Sequence, residues 1–108
     1  MSWDVRFLKE AGQDFCRLDG SQQKIVSKAI ARVSQNPLPT NEGGYGKPLG
    51  NHIGIALSGL LKIKLKHHGL RIVYQLLRVH EQMRIVVIGI RDDGRVYKEA
   101  QERIEQLK

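Results

Sequence analysis

Leu60-Leu61-Lys62-Ile63-Lys64-Leu65-Lys66-His67-His68-Gly69-Leu70-Arg71-Ile72-Val73-Tyr74 reads as two alternating strands joined by a tight turn. Side chains alternate between the faces of a strand, so Lys62, Lys64 and Lys66 share one face and Leu61, Ile63 and Leu65 share the other. A short hairpin around His67, His68 and Gly69 brings Arg71 onto the lysine face, opposite Lys64 or Lys66. Like charges directly across a strand pair destabilise a sheet. A chain that accepts this repulsion has a use for the positive field, and the partner such a field fits is a polyanion.

The rest of the composition points the same way. The chain has 108 residues, a length of about one domain, and a 41% hydrophobic content that can supply one modest core. Its net charge of +7 favours nucleic acid, an acidic protein or an anionic membrane as partner. The excess is uneven: between Leu60 and Lys98 nine Lys and Arg face three acids, Glu81, Asp92 and Asp93. A single cysteine, Cys16, cannot form an internal disulfide, and Met1-Ser2-Trp3-Asp4-Val5-Arg6 lacks the basic-then-apolar order of a secretory signal, so the cytoplasm is the expected location. No apolar run approaches the roughly 18 residues of a membrane helix. The longest, Ile85 to Ile90, fits a buried strand, and the basic residues fall mostly on strand-like segments, so no membrane partner is expected.

Outward from the hairpin, Trp3, Val5 and Phe7 alternate with Asp4 and Arg6 and predict a short first strand. Ala11, Phe15 and Leu18 recur at helical spacing, Asp19-Gly20 breaks the pattern, and Ser21 is the expected N-cap of a second helix. Its apolar face is Ile25, Val26, Ala29, Ile30 and Val33, ended by Asn36-Pro37, and so short a break predicts an antiparallel helical hairpin. Residues Pro37 to Gly59, rich in Gly, Pro and Asn, predict a long functional or mobile loop. Strands at Leu60 to Leu65, Leu70 to Leu77 and Arg84 to Ile90 should form an antiparallel meander. Val96, Ala100, Ile104 and Leu107 then predict a short C-terminal helix. The expected class is α+β, with about four strands in a small antiparallel sheet, the helical hairpin and the C-terminal helix.

Most of the chain's conspicuous residues do not carry chemistry. Gly43-Gly44-Tyr45-Gly46-Lys47 fails as a phosphate-binding loop, because Asn41 stands where the first glycine belongs and Pro48 where Ser or Thr must follow the lysine. It reads as a surface loop. His52, His67, His68 and His80 lack a Cys or carboxylate pattern that would complete a ligand set, so no metal or other cofactor is expected and the histidines read as solvated turn residues. Cys16, between Phe15 and Arg17, reads as a small, partly buried spacer, and Trp3 as core or an edge cap.

The cations are different. Basic residues alone often line a solvated sheet face, but here more of them recur with a tyrosine after the last strand, in Ile88-Gly89-Ile90-Arg91-Asp92-Asp93-Gly94-Arg95-Val96-Tyr97. Closely set Lys and Arg with a Tyr can perform ribonuclease chemistry without His or Glu. A base takes the ribose 2′-OH proton, cations offset charge on the pentacovalent phosphorane, and an acid protonates the departing 5′-oxygen. Neighbouring cations disfavour the charged form of a lysine, so the crowding that weakens a sheet also makes a lysine base. DNA lacks the 2′-OH, which confines this chemistry to RNA.

These residues resemble the RelE toxins of the RelE/ParE superfamily of toxin-antitoxin systems. The resemblance covers nearly the whole length of the single domain expected over residues 1–108, implies a small antiparallel sheet packed on the helical hairpin, and is carried by Gly46-Lys47-Pro48-Leu49, by Leu61 through Tyr74, and by Val87-Ile88-Gly89-Ile90-Arg91 through Val96-Tyr97-Lys98-Glu99-Ala100. It implies the toxin of a type II system: a ribosome-dependent endoribonuclease that cleaves messenger RNA in the A site of the 70S ribosome, contacts ribosomal RNA, and is covered by a cognate acidic, RelB-like antitoxin. The family's catalytic positions fall on Lys62, Lys64, Arg71, Arg91 and Tyr97. By that carry-over Lys64 is the base with Lys62 assisting, Arg71 clamps the scissile phosphate, Arg91 serves the leaving group, and Tyr97 stacks on a base or orients the sugar. Lys66, Arg95 and Lys47 are the implied RNA-binding residues. The chain departs from the family in Leu61 and Leu70, where aromatics are common, and in the acids Asp92 and Asp93. Two other readings share the fold or the charge: a ParE-like inhibitor of DNA gyrase, and a non-catalytic RNA-binding module.

Overall fold

The structure, a computed structural model, describes residues 3–48, 51–52, 55–56, 60–90 and 93–107, with backbone alone at 51, 52, 55, 56, 66, 93 and 94. In chain order these form β1 (Asp4–Phe7), α1 (Lys9–Arg17), α2 (Gly20–Ser34), β2 (Lys47–Pro48), β3 (Asn51–His52), β4 (Ile55–Ala56), β5 (Leu60–Leu65), β6 (Leu70–Leu77), β7 (Gln82–Ile90) and α3 (Asp93–Gln106). Among the described residues no helix is long and apolar enough to cross a membrane.

The α+β class and the meander β5-β6-β7 are as the alternation predicts, with β7 starting at Gln82 rather than Arg84. Around them the sheet runs β1-β7-β6-β5-β2. It is five-stranded and mixed, because β1 lies parallel to β7, with Asp4 opposite Gln82 and Phe7 opposite Ile85. Alternation marks a strand and its faces but carries no information about the direction of its partner. The Pro37 to Gly59 segment, expected as loop, contributes the short strands β2, β3 and β4.

The break between α1 and α2 is built on Asp19, not on the expected Ser21. Asp19 accepts from the Gln22 backbone N–H at 2.8 Å, and the Gln22 side chain accepts from the Asp19 N–H at 3.2 Å. Ser21, inside the first turn, donates to Asp19 at 3.2 Å. A carboxylate meets the partial positive charge of a helix start better than a hydroxyl does, and this reciprocal pairing satisfies two amide donors at once.

Both faces of the sheet are covered. The helical hairpin buries Ala11, Leu18, Val26, Ile30 and Val33 against Leu61, Leu70, Ile72, Tyr74, Met83 and Ile85. On the opposite face α3 lays Val96, Tyr97 and Ala100 over Leu60, Val73, Val86 and Val87. The C-terminal helix, expected to be short, runs 14 residues and is a layer of the fold.

Tyr74 fixes the start of the long connection. It is fully buried, and its hydroxyl donates to the Pro37 carbonyl at 2.8 Å. Gly46 passes directly beneath that hydroxyl, where a Cβ would collide with it and with Leu61. Burial pushes the Tyr74 hydroxyl above the ordinary tyrosine range, so the folded state prefers the neutral form. Its contribution is complete below the unfolded value of about 10 and is lost as pH climbs toward the folded value. Tyr74→Phe keeps the ring but leaves the Pro37 carbonyl unpaired, and urea unfolding should show a loss of about 1–3 kcal/mol. An unchanged unfolding midpoint would show that this bond does not hold the connection.

Candidate active site

The lysine face is built by strand register. Lys47 on β2 stands opposite Lys62 on β5, and Lys64 on β5 stands opposite Arg71 on β6. Directly paired residues share a face, so Lys47, Lys62, Lys64 and Arg71 form one cationic ladder across three strands. Lys62, Lys64 and Arg71 are half-buried and Lys47 is exposed. Of the two partners anticipated for Arg71, Lys64 and Lys66, the register selects Lys64, and a second like-charge pair, Lys47 with Lys62, joins it. Gly69, at φ 65°, closes the turn that sets this register.

Beyond Arg71 the same row continues to Gly89 on β7. A Cβ at Gly89 would run into the Val96 side chain. Its absence lets the start of α3 lie directly on the sheet beside the ladder. The site is therefore a cationic strip bordered on one side by a helix.

Tyr97 reaches that strip from α3. The Lys62 ammonium donates to the Tyr97 hydroxyl at 3.0 Å and lies 5.3 Å from the centre of its ring. The ring itself is 1% exposed. In this conformation it presents no open face for a base; what it does is hold Lys62. Arg71 donates to the Leu70 carbonyl at 3.1 Å, and Arg95, exposed on α3, pairs with Glu99 at 3.4 Å. Lys66 begins the 3-10 turn Lys66–His68, its side chain outside the description, and Arg91 lies outside the described residues.

The remaining candidates stand apart. His67, His68 and His80 are exposed in turns, and among the described residues no group of three or more His, Cys, Asp or Glu is placed to hold a metal. Cys16 is exposed rather than partly buried, since the α1 turn that points Phe15 inward carries the next residue outward. Trp3 packs half-buried at the edge of the core.

Sequence reasoning missed two features. Asp14 on α1 accepts from Arg103 on α3 at 2.7 Å, joining elements 89 residues apart. The Arg32 guanidinium on α2 sits 5.5 Å from the ring centre of Tyr45, in the segment read as a surface loop. No local spacing announces either pair.

Comparison with known proteins gives a consistent result. No protein-family model matches the chain. A putative RelE-like toxin protein of Escherichia coli is 30% identical over 108 residues, covering 96% of this chain and 99% of the relative. A free-state double arginine-to-alanine mutant of the E. coli toxin RelE superposes with a TM-score of 0.74 at 23% identity, over 96% of this chain and 99% of that one. The toxin-antitoxin complex RelBE2 from Mycobacterium tuberculosis contains a chain that matches with a TM-score of 0.67 at 23% identity, over 84% of this chain and 100% of that one.

Proposed function

The chain belongs to the RelE-like toxin family, and from that membership we propose that it is a ribosome-dependent endoribonuclease that cuts messenger RNA in the ribosomal A site and so arrests translation. The observation that carries this reading is the direct opposition of Lys64 and Arg71, with Lys62 and Lys47 beside them, on one face of the sheet. Like charges set directly opposite one another weaken the sheet, whereas they would stabilise the charge that develops on a phosphorane.

In the proposed reaction Lys64 takes the proton from the 2′-OH, whose oxygen attacks the adjacent phosphorus. The bond to the 5′-oxygen breaks, leaving a 2′,3′-cyclic phosphate, and the departing oxygen takes a proton from water to become a 5′-hydroxyl while the Lys64 ammonium returns its proton to solvent. Arg71 clamps the non-bridging oxygens as their charge grows. Lys62 assists the base, and Tyr97 positions Lys62 through the 3.0 Å bond. Arg91 serves the leaving oxygen, electrostatically rather than as an acid, because a guanidinium keeps its proton throughout the physiological range. Lys47, Lys66 and Arg95 extend the contact to flanking phosphates. The same cationic face suits an acidic RelB-like antitoxin, as the M. tuberculosis relative was solved as a toxin-antitoxin complex.

A primer-extension map of one defined message on purified, programmed ribosomes tests the reading, with a ribosome-free control. Cuts confined to the A-site codon and dependent on ribosomes are the expected result. Intact message in the presence of active ribosomes would refute it.

A further inference from the structure

The cationic ladder does not end at Lys64. Strand β2 pairs with Leu61 and Lys62, and among the described residues no strand pairs with the β5 edge beyond them. There a cavity of about 410 Å³ opens between that edge and α2, with Ile63, Leu65 and Val33 below and Lys28, Arg32 and Tyr45 around it. Lys64 lines it as well, and Lys64 is the residue that faces Arg71 in the proposed site. Cavity and site therefore meet at one side chain. None of the described residues lining the cavity is a carboxylate.

Tyr45 is presented there by design of the loop. Its N–H donates to the Asn36 carbonyl at 3.0 Å, and the Asn36 side chain donates to the Gly43 carbonyl at 3.2 Å. The backbone is thereby tied to the end of α2 while the ring stays 49% exposed, with the Arg32 guanidinium 5.5 Å from its centre. An aromatic ring with a planar cation beside it, over an apolar floor and next to an ammonium, is the chemistry that takes an unpaired base and its phosphate. An acidic peptide would use the cations but has no need of an exposed ring or an apolar floor.

We propose that Tyr45, Arg32 and Lys28 form a second nucleotide subsite, in which an unpaired base of the RNA strand flanking the scissile step stacks on Tyr45 while its phosphate meets Arg32 and Lys28. The subsite rests on the RNA-cleaving reading above, since it continues the strand that Lys64 and Arg71 hold. It sets the path of the RNA around the β5 edge and adds a preference for a stackable base on one side of the cut.

The test is fluorescence anisotropy with a short fluorescein-labelled single-stranded RNA, comparing the full chain with Tyr45→Ala, Tyr45→Phe and Lys28→Ala. Tyr45→Ala should raise Kd about tenfold or more, with Tyr45→Phe close to wild type because the stacking face is restored. Lys28→Ala should reduce the slope of log Kd against log salt by about one phosphate contact. On programmed ribosomes Tyr45→Ala should raise KM and leave kcat near wild type, as expected of a residue remote from the reacting atoms. If Tyr45→Ala binds the RNA as wild type does, or weakens only binding of a polyglutamate peptide, the subsite is overturned whether or not the wild type cuts. If the wild type cuts nothing but its RNA affinity still depends on Tyr45, the cleavage reading fails and the subsite stands.

Discussion

Arg71→Ala is expected to slow cleavage of ribosome-bound message by about a hundredfold to a thousandfold, the usual cost of removing one preorganised charge donor from a phosphoryl or acyl transition state. The same variant should change stability little. Arg71 is directly opposite Lys64. Like charges so placed destabilise a sheet by roughly 0.2–1 kcal/mol, so deleting one relieves repulsion, while the bond from Arg71 to the Leu70 carbonyl is lost with it. Lys64→Ala should slow cleavage to a similar extent. Arg71→Lys keeps the charge but loses the planar fork that holds two phosphate oxygens, and should recover only part of the rate. Single-turnover cleavage on programmed ribosomes, paired with thermal unfolding, checks both halves. Wild-type cleavage by Arg71→Ala would remove this residue from the mechanism. A rate loss accompanied by a large loss of stability would instead mean that the ladder is structural.

The shared face of Lys62, Lys64 and Arg71 was legible in the chain because it follows from a period of two and one short turn, which left Lys64 or Lys66 as the partner of Arg71; their catalytic roles came from the family resemblance. The meander β5-β6-β7 followed from the same alternation. The burial of Tyr97 was less legible, although a trace of it was present. Val86 and Val87 belong to an unbroken apolar run, and a strand buried on both faces loses its alternation in this way. The run implied a cover on the lysine side of the sheet, and Val96 and Ala100 at helical spacing were the available cover. The parallel entry of β1, the Arg32 and Tyr45 contact, and the Asp14 and Arg103 pair were not legible. Each depends on where the α1-α2 hairpin comes to rest over the sheet, which no spacing within a segment specifies.

The Asp14 and Arg103 pair should nevertheless carry one of the largest stability effects in the molecule, with Arg103→Ala or Asp14→Ala each costing about 3–5 kcal/mol. The side chains are 16% and 10% exposed at an N–O distance of 2.7 Å, so deleting Arg103 leaves the Asp14 carboxylate buried with the Ile88 N–H, and deleting Asp14 leaves the guanidinium with the longer contact to Glu99 at 3.6 Å and the Val86 carbonyl. Burial works against the Arg103 charge, but the hydrogen bonds and charge of Asp14 more than offset it and hold the guanidinium pKa above its ordinary value. Many buried ion pairs can be replaced by apolar residues without loss. This one should resist. β1 pairs with β7 only as far as Ile85, and past that point Asp14 accepts from the Ile88 N–H at 3.1 Å while Arg103 donates to the Val86 carbonyl at 2.9 Å. The pair thus closes the bare edge of β7, and a Leu and Met replacement would leave two backbone groups unsatisfied. A double-mutant cycle by urea unfolding should give a strong coupling, with the apolar double variant still clearly less stable than wild type. Because Arg103 holds the helix that carries Tyr97, hydrogen exchange in α3 should accelerate in Arg103→Ala before it does in β6. Equal acceleration in both elements would mean that the pair stabilises the molecule as a whole and does not fix α3 in particular.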